Sequence, residues 1–228
     1  MKVSFNSEAI VPCAQHARMI ESLIPGAAAA ELFDDVPEST MYAAEADAIA
    51  HAIAGRRREF ATVRFCARQA LRRIGIAPAA ILPDPDGAPR WPAGAVGSMT
   101  HCAGYRAAVV ARAEALRGIG LDAEEHAALP GTAADLVLRD DERPRLCALA
   151  QAEPGLHWDR IVFCAKEAVY KACFPLSRRW LDFSDIAVTL HAGGAFNARV
   201  LAGGDRLAGR WAVDRGLVLA ATWVSHDD

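Results

Sequence analysis

Trp158-Asp159-Arg160-Ile161-Val162-Phe163-Cys164-Ala165-Lys166-Glu167-Ala168-Val169-Tyr170-Lys171-Ala172-Cys173 is the strongest helical stretch in the C-terminal part of the chain. Ile161, Val162, Ala165, Val169 and Ala172 mark one apolar side at helical spacing, and Phe174-Pro175 is the expected stop. Four alternating runs follow, at Ile186–Leu190, Phe196–Leu201, Gly209–Val213 and Leu217–Val224, the pattern of an antiparallel meander. Upstream, Glu38–Ala54 reads as a helix between Pro37 and Gly55. Arg56–Ile74 reads as a second, with Phe60, Val63, Ala67, Ala70, Leu71 and Ile74 in register and Gly75 as its stop. A loop rich in Pro, Gly and Asp runs from Pro78 to Gly94. Strands are expected at Ala95–Met99, Tyr105–Ala111 and Arg117–Ala123, and short helices near Ala133–Leu138 and Pro144–Ala150. Helices, strands, then a helix and strands again predict two α+β halves joined near Arg112–Arg117.

At 228 residues the chain can bury a full core. A net charge of −3 argues against a general nucleic-acid binder. No apolar run approaches the roughly 20 residues that span a bilayer. Met1-Lys2-Val3-Ser4-Phe5-Asn6 lacks the apolar core of a secretory signal. Cys13, Cys66, Cys102, Cys147, Cys164 and Cys173 form no CxxC pair and no zinc-type spacing with histidine. They read as small buried hydrophobes in a reducing cytoplasm.

Of 25 basic residues only Lys2, Lys166 and Lys171 are lysines, in a chain rich in alanine and arginine. A lysine that persists against such a bias suggests a site needing a compact, titratable ammonium. Glu167 and Lys171 stand one turn apart on a helix face, which suits either an ordinary salt bridge or a carboxylate–ammonium pair acting at phosphorus. Asp122 and Glu124, two apart on a strand, point to the same side. They can converge on magnesium, which takes one or two carboxylates plus phosphate oxygens, or they can mark a strand's exit into solvent. Arg56, Arg64 and Arg68 recur at multiples of four, with Arg56 and Arg64 about 12 Å apart on a helix. That row suits an extended polyphosphate, and equally a solvated helix face. Gly97-Ser98-Met99-Thr100-His101 ends a strand with groups able to approach a phosphate, although a histidine there is often structural.

Taken in order, Arg56-Arg57-Arg58-Glu59-Phe60-x-x-x-Arg64-x-x-x-Arg68, Trp91-Pro92-x-Gly94-x-x-Gly97-Ser98-x-Thr100-His101, Gly120-x-Asp122-x-Glu124 and Phe163-x-x-Lys166-Glu167-x-x-x-Lys171 resemble the 4′-phosphopantetheinyl transferases of the enterobactin-synthase and surfactin class, most of all the actinobacterial branch. The resemblance runs from about Arg56 to Trp180 and implies a monomeric pseudo-dimer of two similar α/β halves, 1–114 and 115–228, with coenzyme A between them. Each half is expected to be a small, mostly antiparallel sheet packed with helices. It implies transfer of 4′-phosphopantetheine from coenzyme A to a serine of an apo acyl or peptidyl carrier protein, in the cytoplasm and with Mg2+.

By the same resemblance Arg56, Arg64 and His101 hold the 3′-phosphate end, with Thr100 beside the nucleotide. Asp122, Glu124 and Glu167 hold the metal, while Lys166 and Lys171 contact phosphates. Asp122, Glu167 and Lys171 are the catalytic set, Glu167 being the base, and Trp180 lines the pantetheine arm. Relatives often carry a coenzyme-contacting lysine near Ile81–Gly87. This chain has Pro83 and Asp86 there, and Arg90 nearby. Arg178-Arg179 would form a rim for an acidic carrier. Two rival readings are a coenzyme A or nucleotide binder without chemistry, and an RNA-binding protein using the Arg56–Arg73 helix. The latter gives no role to the downstream carboxylates.

Overall fold

The computed structural model describes residues 18–227, so the readings of Met1–Asn6 and Cys13 lie outside the described residues. In chain order the elements are α1 (Arg18–Leu23), β1 (Ala28–Leu32), α2 (Ala43–Ala48), α3 (Ala54–Arg73), β2 (Ala95–Cys102), β3 (Tyr105–Arg112), β4 (Gly118–Glu125), α4 (Gly131–Val137), α5 (Arg143–Ala152), α6 (Trp158–Ser177), β5 (Ile186–His191), β6 (Ala195–Val200), β7 (Arg206–Asp214) and β8 (Leu217–Val224). They form two antiparallel sheets, ordered β1-β3-β2 and β4-β8-β7-β6-β5. Each sheet carries one 20-residue helix, α3 on the first and α6 on the second. This is the expected α+β pseudo-dimer, with unequal sheets.

Side-chain alternation builds three apolar layers. Under α3, Cys66, Ala67, Ala70 and Leu71 pack on Ala30, Ala108 and Val110. Between the halves, Tyr105, Ala107 and Val109 of β3 meet Ile119, Leu121 and Ala123 of β4, and Leu217, Leu219 and Ala221 of β8. Under α6, Ile161, Ala165, Val169 and Ala172 pack on Val188, Phe196, Trp211 and Ala220. Burying a side chain such as Ile161 or Val169 contributes about 1.5–3 kcal/mol. No backbone ladder joins β2 to β4. Instead Leu121 N–H donates to Ser98 Oγ at 3.0 Å and Ala123 N–H to Thr100 Oγ1 at 3.1 Å.

The face of β4 turned to α6 carries Gly118, Gly120, Asp122 and Glu124, because the opposite parity fills the central core. A Cβ on Gly120 would stand 1.7 Å from the Ala168 carbonyl oxygen, and one on Gly118 2.8 Å from that of Ala172. The helix therefore lies directly on the strand backbone.

Several boundaries differ from expectation. The single helix expected over Glu38–Ala54 is a 3₁₀ turn at Glu38–Thr40 followed by the short α2. Glu45 accepts Tyr42 N–H at 3.0 Å, Ile81 N–H at 2.9 Å and the Arg68 guanidinium at 2.8 Å, and these tertiary bonds fix α2 separately. Ala54 and Gly55 open α3 where a stop was expected. Helix α6 runs through Pro175 to Ser177, since proline so near the end forfeits only a late helical bond. Strand β1 was not anticipated. Its run Ala28-Ala29-Ala30-Glu31-Leu32 has helix-favouring composition, and pairing with β3 overrides it. Cys66, Cys164 and Cys173 are buried and Cys102 partly so, but Cys147 is exposed, because α5 buries none of its side chains fully.

Gly120→Ala should lower stability by at least about 1–3 kcal/mol, the usual cost of overpacking. Gly55→Ala, where a Cβ meets nothing within 4 Å, should raise it by about 0.5–1 kcal/mol. Denaturant titration of both variants checks this, and equal stabilities would remove the close contact from the fold.

Candidate active site

The closeness of β4 and α6 brings Lys171 onto Asp122. Lys171 Nζ donates to Asp122 Oδ1 at 2.6 Å and to the Leu121 carbonyl at 3.2 Å. Burial opposes this ammonium, but Asp122, its hydrogen bond and Glu167 outweigh burial and raise its pKa. Thr100 Oγ1 donates to the same Asp122 oxygen at 3.2 Å, so Thr100 crosses the seam between the halves beneath the carboxylate. The other oxygen, Asp122 Oδ2, is buried with no hydrogen-bond partner. Glu167 is partly buried, and its pKa is raised by burial and then by Asp122. Glu124 is raised by the same two causes in the same order. It is held by Arg160, whose Nη1 donates at 3.2 Å.

Among the described residues, no three of the His, Cys, Asp and Glu side chains form a ready metal cage. The donor chemistry nonetheless fits a hard divalent cation. A buried carboxylate oxygen lacks a partner, and Asp122 raises the pKa of both neighbouring carboxylates, as like charges do in the absence of a shared cation.

Above this cluster lies a cleft of about 510 Å3 between the halves. Arg56, Arg64, His101 and Lys171 are its basic residues, while Phe60, Tyr170, Phe174 and Trp180 supply apolar wall. Arg64 is buried, its Nε donating to the Ile81 carbonyl at 2.7 Å while the guanidinium stacks 3.1 Å from the Phe60 ring centroid. Burial pulls its pKa down to about 9. Arg64 thus offers a desolvated cation with no acid in salt-bridge reach among the described residues. Arg56 Nη1 lies 2.8 Å from His101 Nε2, so that nitrogen is the acceptor, and burial followed by Arg56 lowers the pKa of His101.

The rest of the arginine row is committed elsewhere. Arg68 is buried against Glu45, Arg57 pairs with Glu38 at 2.6 Å, and Arg73 with Glu21 at 2.6 Å. Trp180 is 73 % exposed and packs edge-on to Tyr170 at 5.4 Å. With Tyr170 it separates the main cleft from a smaller cavity of about 220 Å3 that Glu167 also lines.

Lys166 is brought to a different place from Lys171. It is fully buried, and its Nζ donates to the Val137 carbonyl at 2.7 Å, Glu142 at 2.8 Å and the Phe183 carbonyl at 3.1 Å. With three acceptors it has no donor left for a ligand. Arg90 is exposed and does not line the cleft, whereas Pro83, Asp86 and Gly87 do. The roles of Arg160 and Ser98 were missed. Only the same-side spacing of Ser98 and Thr100 on a strand could have signalled a shared seam.

These features define a class: a two-half α+β protein with a cation-lined cleft, reached by the lysine of a lysine–carboxylate cluster. Residues 44–111 match the profile of the 4′-phosphopantetheinyl transferase N-terminal domain, and residues 118–222 that of the 4′-phosphopantetheinyl transferase superfamily. The chain is 47% identical over 221 residues to 4′-phosphopantetheinyl transferase PptT of Mycobacterium tuberculosis, covering 89% of this chain and 96% of that one. It is 44% identical to 4′-phosphopantetheinyl transferase Svp of Streptomyces mobaraensis, covering 91% and 89%. It is 42% identical to 4′-phosphopantetheinyl transferase Npt of Nocardia iowensis, covering 89% and 98%. The chain belongs to the 4′-phosphopantetheinyl transferase superfamily and is a transferase. Among the described residues, no helix is long and apolar enough to cross a membrane.

Lys166→Met should cost about 3–5 kcal/mol of stability by leaving Glu142 buried without its cation. Lys171→Arg should leave stability close to that of the parent. Thermal and denaturant unfolding separate the two, and a Lys166→Met protein of parental stability would return Lys166 to the ligand site.

Proposed function

We propose that coenzyme A occupies the cleft and that the enzyme transfers its 4′-phosphopantetheine to a serine hydroxyl of an apo carrier domain. The observation that carries this reading is that Lys171, which Asp122 holds at 2.6 Å, lines the cationic cleft. Arg56, Arg64 and His101 suit the 3′-phosphate end, since two guanidiniums and a ring nitrogen converge where the lining is basic. The aromatic wall of Tyr170, Phe174 and Trp180 suits the pantetheine arm. Thr100 acts through Asp122 and not on the nucleotide.

In the reaction the serine oxygen attacks the phosphorus that bears pantetheine. The bond from that phosphorus to the bridging oxygen breaks, and adenosine 3′,5′-bisphosphate leaves. Glu167, one helical turn before Lys171 on α6, takes the serine proton. Lys171, charged and aimed by Asp122, offsets charge on the departing phosphate. Asp122, Glu124 and Glu167 would hold magnesium, which supplies Lewis-acid neutralisation of the pyrophosphate. The cytoplasm, a monomeric state, and carriers of fatty acid, polyketide or peptide synthases complete the proposal.

The test is incubation with coenzyme A, Mg2+ and an apo acyl carrier protein, followed by intact-mass measurement. A carrier heavier by one phosphopantetheine is expected. Coenzyme A binding without carrier modification would favour a binding protein.

Asp122→Ala should slow single-turnover transfer by roughly 100-fold or more. Glu167→Gln should nearly abolish it while calorimetric coenzyme A binding persists. Parental rates in both would remove this cluster from the chemistry.

Arg64→Ala should weaken coenzyme A by about 1.5–3 kcal/mol, the scale of a charge-assisted hydrogen bond. It should weaken 3′-dephospho-coenzyme A much less. Equal losses for the two ligands would take Arg64 off the 3′-phosphate.

A further inference from the structure

Residues 83–89 form a small hairpin turn, closed by a bridge between Pro83 and Pro89 and by Ala88 with Asp84. Pro83, Asp86, Gly87, Ala88 and Pro89 line the cleft on the side of the N-terminal half, and Phe174, Pro175 and Trp180 on the side of α6. Asp84 organises this turn. Its Oδ1 accepts Asp86 N–H at 3.0 Å and Ala88 N–H at 2.8 Å, while Gly87 takes the φ of +89° that closes it.

Asp84 Oδ2 faces the other half and accepts from Arg178 Nη1, with Asp86 Oδ2 3.7 Å from the same nitrogen. The Asp84 side chain is only 6% exposed although it lies in a surface turn. Arg178 is one of two non-glycine residues at positive φ among those described, at 54°. It ends α6 in the left-handed conformation, a position where glycine or asparagine is usual and a longer side chain is disfavoured. An arginine there keeps a guanidinium back over the last turn, 5.8 Å from the Phe174 ring centroid, within reach of the turn.

We infer that Arg178 is a substrate-positioning residue: by gripping Asp84 across the cleft it fixes the turn 83–89 as the outer wall and sets how long the coenzyme stays bound. The inference rests on reading the cleft as the coenzyme site. It also gives a role to a turn that contains no lysine or arginine of its own: the turn is held from outside by Arg178. The two halves are joined at the floor by the buried Ser98 and Thr100 bonds, and at the rim by a pair whose arginine is half exposed. Exposed pairs are weak and screened by salt, so the rim can release on each turnover while the floor cannot.

Arg178→Asn tests this, because asparagine tolerates the left-handed backbone while removing the charge. Release of coenzyme A labelled with a fluorophore on its thiol, followed by stopped flow, should accelerate roughly two- to five-fold, the range open to an exposed pair. KM for coenzyme A should rise with it. Arg178 touches none of Asp122, Glu124, Glu167 or Lys171, so coenzyme release, and not the transfer step, is the readout. Arg178→Lys should recover most of the retention. Added salt should speed release from the parent by a larger factor than from the asparagine variant, because the variant retains only the phosphate contacts of the cleft for salt to screen.

Hydrogen exchange without ligand is the independent arm. The bonded amides of Asp86, Ala88 and Arg90 should exchange faster in Arg178→Asn, with α3 unaffected. Parental release and parental exchange would overturn the latch. If the parent protein binds no coenzyme A yet exchange still accelerates, the latch stands and the coenzyme reading fails.

Discussion

The contact of α6 on the backbone of β4 is the constraint on which the rest depends. With no side chain at Gly118 or Gly120, the helix carbonyls of Ala172 and Ala168 come down onto the strand. The next residue on that face, Asp122, then lies within reach of an ammonium one turn along the helix. A methyl group at Gly120 would lift the helix away. The Lys171–Asp122 bond, the orientation of Glu167 and the height of the cleft floor would all change together. Packing and chemistry share one strand face here, so the glycines and the acids alternate with the core residues in a single run of eight.

Electrostatics divides the site into groups already matched and groups left open. Arg57, Arg68 and Arg73 each meet an acid, and Lys166 is enclosed by three acceptors. Among the described residues Arg64 meets backbone carbonyls but no acid in salt-bridge reach, and Asp122 Oδ2 accepts no hydrogen bond. A buried charge or polar atom without a partner costs stability, so a fold retains one where a ligand completes it. The cation without an acid lines the cleft, and the open oxygen belongs to Asp122, the partner of the Lys171 that also lines it. That is the order required by a ligand whose phosphates face basic groups on one side and a bound cation on the other.

The parts legible in the sequence were those set by local periodicity. The C-terminal meander, strands β2 and β3 and the two long helices follow from apolar spacing, and Asp122 with Glu124 from strand parity. What escaped depended on partners remote in sequence. The run Ala28-Ala29-Ala30 is a strand because β3 covers it, and nothing in its own composition favours that. Arg56, Arg64 and Arg68 look alike in a helical row, and only Glu45, about twenty residues away in the chain, removes Arg68 from the ligand side. Lys166 was grouped with Lys171 by adjacency, whereas Glu142 decides its fate. Charge-bearing residues announce themselves in sequence, but the acid that claims each one does not.

Why lysine, in a chain that otherwise prefers arginine, survives at both ends of this motif now has a physical answer. At 3.6 residues per turn Lys166 and Lys171 lie about 140° apart around α6, with Glu167 about 40° from Lys171. Lys166 sits where a planar fork would not fit. Lys166 is encircled by two carbonyls and a carboxylate, and Lys171 is wedged between the Leu121 carbonyl and Asp122 beneath the helix. A tetrahedral donor with three hydrogens satisfies three convergent acceptors, where guanidinium demands them in one plane. The two lysines therefore fix the rotation of α6 from opposite sides, one against the wall near α4 and α5 and the other against β4. Glu167, carried between them, is aimed by both, so Lys166 acts on the site through the rotation of the helix and not through contact with a ligand.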